Sequence, residues 1–170
     1  MASFVCVDVD YRDACVVAAA VGFSAWTDAA AAYEIARVTA GAAPAYEPGS
    51  FYKRELPYLL DVIAACPVPP STIVIDGFVD LGADQPGLGA HLHAALGIAV
   101  VGVAKRPWRG GSAGVLVLRG TSAVPLFVTA VGIDVDEAAR YVAAMHGEHR
   151  TPTLLRRVDR LARDHARVPA

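Results

Sequence analysis

The sequence predicts an α/β protein built on a mixed sheet, in which an antiparallel three-strand meander is extended by parallel strands and flanked by helices. Three observations carry this reading. Two apolar stretches, Phe4 to Val9 and Ala14 to Phe23, are separated by the turn-forming residues Asp10-Tyr11-Arg12-Asp13. Beyond Gly49 the pattern alternates between strand and helix, which favours a sheet covered by helices. Two short aliphatic runs, Thr72 to Ile75 and Ile98 to Val103, stop abruptly, as buried strands do. With 170 residues, a single domain spanning 1–170 is expected.

The elements follow in order. The first two apolar stretches read as a β-hairpin, with Asp10 opening its turn. Tyr33 to Val38 alternates and supplies the third strand of the meander. Gly41 to Gly49 is a loop of small residues and prolines. Ser50 then stands as an N-cap for a helix over Phe51 to Ala65, which Pro57 should bend and Pro67, Pro69 and Pro70 end. The strand Thr72 to Ile75 is followed by a loop to Pro86, a short helix from Gly87 to Leu96 and the strand Ile98 to Val103. Right-handed crossovers place the last two strands beside the first and parallel to it. Strands near Gly114 to Arg119 and Leu126 to Val131, then helices from about Asp134 and Thr151, complete the pattern.

Composition excludes several classes. Hydrophobic residues make up 55% and charged residues 19%, which is the composition of an ordered globular chain. The run Ala14 to Trp26 is too short to span a bilayer, and Asp8, Asp10 and Asp13 precede it where a secretion signal carries positive charge. No membrane partner is expected. Cys6, Cys15 and Cys66 are odd in number and set among aliphatic residues, so they read as free thiols in a reducing cytoplasm. The net charge of −2 supplies no bulk attraction for a polyanion, leaving any nucleic-acid affinity to local patches.

The chemistry lies in the acids. A β-branched run ending in Ile75-Asp76-Gly77 aims a carboxylate from a strand end. Asp8 closes the first apolar strand, Glu55 lies on the intervening helix, and Asp159 lies on the last helix. Acids drawn from separated segments to adjoining strand ends suit a hard divalent cation, which takes oxygen ligands. Each also has an ordinary structural reading: Asp8 as a strand terminus, Glu55 beside Lys53 and Arg54 as a solvated helix charge, Asp159 among Arg156, Arg157 and Arg160 as a surface ion pair. His91, His93, His146 and His149 lack the spacing of a zinc site.

In order and wording these motifs resemble the endonuclease V family, ribonuclease H-like nucleases that cut near deaminated purines. The resemblance runs from Val7-Asp8-Val9-Asp10-Tyr11 through Tyr46-Glu47-Pro48-Gly49, Tyr52-Lys53-Arg54-Glu55, Ile75-Asp76-Gly77 and Gly102-Val103-Ala104-Lys105 to Arg150-Thr151-Pro152. It implies a ribonuclease H-like sheet and a Mg²⁺-dependent endonuclease, with Mn²⁺ able to substitute. The expected bond is the phosphodiester 3′ to deoxyinosine in DNA or to inosine in RNA, in a repair setting. Asp8, Glu55 and Asp76 are then the catalytic metal acids, Asp159 an additional ligand, and Lys105 the group near the scissile phosphate. Tyr46 matches the family's stacking wedge, while Gly49, Gly77 and Gly102 match positions where backbone approaches the extruded base.

The chain departs from the family after Gly77, where a second glycine and an Ala-His-Pro-Arg segment are replaced by Phe78-Val79-Asp80-Leu81-Gly82-Ala83-Asp84-Gln85-Pro86. Phe78 or Val79 is expected to narrow the base pocket. The first strand also begins almost at once, without the family's leading helical segment, which is expected to shorten the substrate platform. Lys53, Arg54, Lys105, Arg106, Arg109, Arg150, Arg156, Arg157 and Arg160 remain for phosphate, with Trp108 available to stack on a base. Two further readings stay open: a related nuclease of relaxed specificity, and a non-catalytic nucleic-acid-binding protein of the same fold.

Overall fold

The computed structural model describes residues 3–48, 50–82, 84–109 and 114–165. Seven strands form one sheet: β1 (Phe4–Tyr11), β2 (Cys15–Phe23), β3 (Tyr33–Ala40), β4 (Thr72–Asp76), β5 (Ala99–Ala104), β6 (Val115–Val117) and β7 (Leu126–Val131). Their order across the sheet is β3-β2-β1-β4-β5-β7-β6. β1, β2 and β3 form the predicted antiparallel meander, and β4 and β5 continue the sheet parallel to β1. β7 and β6 then add two antiparallel strands. The helices are α1 (Phe51–Ala64), α2 (Leu88–Leu96), α3 (Val135–Ala144) and α4 (Thr153–Asp164).

The helices divide between the two faces, and the alternation of the strands decides which residues meet which. Val5, Val7, Ile73 and Ile75 pack with Leu59 and Val62 of α1 and Leu92 of α2. Cys6 and Val74 pack on the other face with Val142 of α3 and with Leu155 and Val158 of α4. Because successive side chains of a strand point to opposite faces, Asp8 and Asp76 follow Cys6 and Val74 onto the α4 face. β2 is buried along its whole length. Its Ala18-Ala19-Ala20 run presents only methyl groups to both helical layers, which lets α1 and α4 approach the sheet closely.

Several local expectations need revision. β1 runs through Asp10 to Tyr11, paired with Val17 and Val16, so Asp10 is a strand residue and the turn is made by residues 12–14, closed by the Arg12 amide donating to the Cys15 carbonyl at 2.9 Å. The ladder to a fully buried β2 outweighs the turn preference of aspartate. Ser50 precedes α1 but its side chain makes no capping bond, whereas Asp134 caps α3 by accepting from the Glu137 amide at 3.0 Å. Pro57 lies inside α1, which continues to Ala64. β6 is only three residues long, because the chain leaves the sheet before Arg119.

α4 is held at both ends by arginines bonded to backbone carbonyls. Arg119, 5% exposed, donates to the carbonyls of His149 at 2.8 Å, Arg150 at 3.2 Å and Gly147 at 3.2 Å, and to that of Met145. It thereby fixes the connection from α3 to α4. Arg12, in the β1–β2 turn, donates to the carbonyls of Ala162, Arg163 and His165 at 3.0, 2.6 and 3.1 Å, satisfying groups that the end of a helix leaves free.

Arg119→Met should therefore cost about 3 kcal/mol or more in urea unfolding, since it strands buried carbonyls without a donor. Arg37→Gln, which removes an exposed ion pair with Asp61, should cost less than about 1 kcal/mol.

Candidate active site

The site forms where β4 ends at Asp76 beside the middle of β1, which continues past Asp8 to Tyr11, so Asp8 lies within its strand rather than closing it. Val7 is in register with Ile75, so the next residues, Asp8 and Asp76, project from adjacent strands about 4.8 Å apart, both toward α4. Asp159, on the flank of α4, completes the group from above. These three acids line one cleft with Lys105, Thr151, Val103, Leu126, Leu155 and Val158. Its enclosed space is about 10 Å³, room for a water-sized or ion-sized occupant.

Glu55 reaches the strand ends from α1 on the opposite face, and electrostatics records its proximity. Burial, followed by the charge of Asp8 and then that of Asp76, pushes the Glu55 carboxyl up to about 7. Asp8 is likewise pushed up to about 7, by burial first and then by Asp76 and Asp159, although the Val9 amide donates to its Oδ1 at 2.9 Å. Both groups bind protons more tightly folded than unfolded. Their contribution to stability is complete below the ordinary carboxylate range and is lost as pH rises through about 7. At neutral pH this centre is an excess of negative charge.

Two cations partly offset it. Lys105 directly follows β5, and its Nζ lies 3.0 Å from Asp76 Oδ2. Arg163, one turn beyond Asp159 on α4, lies 3.0 Å from its Oδ1. Among the described residues no three His, Cys, Asp or Glu side chains form a ready-made metal cage. The donor chemistry nonetheless fits a hard divalent cation: the acids are all oxygen donors, two have raised proton affinity, and they adjoin an ion-sized space.

A second, larger pocket of about 490 Å³ opens beside Asp76. Tyr46, Phe51, Tyr52, Phe78 and Trp108 supply aromatic walls, and Gly77, Gln85 and Arg106 also line it. Tyr46 is 58% exposed and tilts against Phe51. Gly77 adopts φ +137°, a conformation that favours glycine, and it turns the chain at the pocket wall. Gly102 lies outside the pocket lining, buried in β5: a Cβ there would sit 2.6 Å from the Gly77 carbonyl, so glycine lets the chain after Asp76 cross β5. Gly49 lies outside the described residues.

Of the two residues expected to narrow the pocket, Phe78 does line it, but Val79 is fully buried against Leu88 and Leu92. The Val79 amide donates to Thr129 Oγ1 at 2.9 Å, an anchor the sequence did not disclose beyond a threonine in an apolar strand. The sequence suggested phosphate for Arg54 and no role for Tyr11, yet the two side chains pack on each other. The Arg54 guanidinium lies 4.1 Å from the Tyr11 ring centre, next to Glu55. The histidines have other contacts: His91 stacks on Tyr52, His93 bonds the Ile98 carbonyl, and His146 bonds Thr153.

Comparison with known proteins bears on the fold and the family. A family model described as endonuclease V matches residues 2–114. An endonuclease V of Streptomyces avermitilis is 36% identical over 92% of this chain and 77% of its own length, and one of Streptomyces coelicolor is 33% identical over 92% and 76%. The crystal structure of the Streptomyces avermitilis endonuclease V superposes with a TM-score of 0.75 at 32% identity, covering 97% of this chain and 81% of that one. The catalytic domain of human endonuclease V shares the fold at a TM-score of 0.79 and 22% identity, over 97% and 82%. Ciona intestinalis endonuclease V, solved with a DNA containing an inosine followed by a ribo-adenosine, does so at 0.78 and 18%, over 96% and 84%. The fold is ribonuclease H-like, and the chain belongs to the endonuclease V family of nucleases.

Proposed function

We propose that this protein is a divalent-cation-dependent endonuclease that hydrolyses the phosphodiester bond 3′ to a deaminated purine, deoxyinosine in DNA or inosine in RNA, and acts in nucleic-acid repair. The observation that carries this reading is the convergence of Asp8, Glu55, Asp76 and Asp159, with Lys105, beside an aromatic pocket. Family membership and the inosine-containing DNA bound by the Ciona relative support the substrate. Three free cysteines agree with a cytoplasmic setting, and 1–170 is taken as one domain.

Asp8, Glu55, Asp76 and Asp159 would hold Mg²⁺, or Mn²⁺ in its place. When bound, such an ion supplies Lewis-acid polarisation of the phosphate and a more acidic water. The chain's own residues do the rest. The carboxylates position the attacking water and accept its proton. Lys105, exchanging its contact with Asp76 for the phosphate, stabilises the negative charge that develops on the phosphoryl oxygens. Water adds to phosphorus as the bond to the 3′ oxygen breaks, giving a 3′-hydroxyl and a 5′-phosphate. Tyr46 and the aromatic pocket receive the displaced base and replace its lost stacking.

A related nuclease with altered base preference is the second reading, favoured by one observation: Phe78, Leu81 and Gln85, from the segment that departs from the family, line the pocket. Labelled strands containing inosine, uracil or no lesion separate the two. Under the first reading, Mg²⁺ or Mn²⁺ supports cleavage at inosine alone, and Asp76→Ala lowers it by about 10³-fold; equal cleavage of every strand transfers the assignment to the second.

Asp8→Asn should abolish cleavage yet stabilise the metal-free protein, raising its thermal midpoint by about 2–4 °C for each kcal/mol of repulsion removed. Wild type should gain stability from added Mn²⁺, and the variant should gain little. A midpoint that falls on Asp8→Asn would show that the cluster is not under electrostatic strain. Tyr46→Ala should weaken binding of inosine strands by about 1–3 kcal/mol, measured by fluorescence anisotropy, while thermal stability stays unchanged.

A further inference from the structure

The geometry points to a second polyanion-binding surface on the outer side of α4, which carries the substrate strand away from the cleft. This rests on the nucleic-acid reading above and extends its footprint. Asp159 sits at the edge of the buried face of α4, and beyond it around the helix come the positions of Arg163, Arg156 and Arg160. Arg156 and Arg160 are one turn apart, with Cβ atoms about 5–6 Å from one another.

Two hollows meet along this face. One, of about 250 Å³, is lined by Thr153, Arg156, Arg157 and Arg160. The other, of about 520 Å³, is lined by His146, Gly147, Glu148, His149, Thr153 and Arg156. They share Thr153 and Arg156, so together they form one trough that begins within a helical turn of Asp159.

The arginines along it are not equivalent. Arg157 is committed to Glu34, at 2.6 and 2.7 Å, and Arg163 to Asp159. Among the described residues no carboxylate pairs with Arg156 or Arg160, and both are exposed. In a chain of net charge −2, two unneutralised guanidinium groups beside a cleft for a phosphodiester fit the backbone of the same strand. Glu148 puts one negative charge at the far end of the trough, which places the strand along Arg156 and Arg160. Guanidinium groups suit this contact because they meet phosphate oxygens through paired N–H donors.

The test measures the salt dependence of binding in the full-length protein carrying Asp76→Ala, by fluorescence anisotropy. Two unlesioned single strands are used: a short one that covers only the cleft and a longer one that extends past it. Adding Arg156→Gln and Arg160→Gln should reduce the slope of log K against log salt by about 0.7 for each lost phosphate contact, and only for the extended strand. Arg37→Gln, which removes one positive charge beside α1 where the double variant removes two, should leave the slope unchanged.

An unchanged slope in the double variant overturns the inference, as does an equal loss with Arg37→Gln or with the short strand. Inosine-dependent cleavage, measured in the same variants with Asp76 restored, tests the parent reading separately. Loss of that activity from the wild type together with the predicted slope change would remove the proposed substrate and leave the surface standing.

Discussion

The constraint on which the structure turns is the crowding of buried carboxylates held side by side on two neighbouring parallel strands. Asp8 and Asp76 are put side by side by register: once Val7 pairs with Ile75, the next residue of each strand must fall on the same face. β4 ends at Asp76 while β1 continues to Tyr11, and both carry aliphatic side chains up to the acids. Acids at this position cannot move apart without disrupting the core on which Val5, Val7, Ile73 and Ile75 depend. Burial first, and then their mutual repulsion, raises the proton affinity of Asp8 and Glu55. It is also what makes the site receptive to a cation, because any positive charge delivered there relieves a strain already present in the fold.

Maintaining that strain requires rigid support, and the two clamping arginines supply it. α4 would relieve the repulsion if it slid or tilted away from Asp8, taking Asp159 with it. Arg119 fixes the segment entering the helix, Arg12 fixes the carbonyls leaving it, and Leu154, Leu155 and Val158 bury its inner face. The alanine run of β2 matters for the same reason, since larger side chains at Ala19 would lift α4 from the sheet. A polar centre of this kind is therefore positioned by groups that never touch it.

These supports explain which parts of the molecule were legible in the sequence. The meander and the strand end at Asp76-Gly77 follow from local signals, hydrophobic period and an Asp-Gly stop, and the parallel sense of β4 and β5 from the handedness of crossovers. Asp10 was misread because local turn preference competes with a ladder whose length is set by β2, a tertiary effect. Arg119 and Arg12 gave no sign, since an arginine that binds backbone carbonyls has no partner residue type to betray it. Gly102 was read as a backbone approach to the extruded base, whereas what crowds it is Thr129 and the chain from Gly77 to Val79, a contact that arises only once β4 and β5 are adjacent.

Val79 shows how far the departure from the family reaches. Were the segment from Phe78 to Pro86 a surface loop, its changes would be free to drift. Instead Val79 is fully buried, its amide is bonded to Thr129, and Gly87 and Gly89 leave room for its backbone. The start of the segment is fixed as firmly as a strand, and Phe78 is carried to the pocket wall by that anchor. The base pocket of the proposed function is thus a repacked one, in which the described wall residues present aromatic surface and few polar groups. Stacking against such walls accepts any base, because every base has a π-face. The polar groups available on these walls are the backbone at Gly77 and the side chains of Gln85 and Arg106.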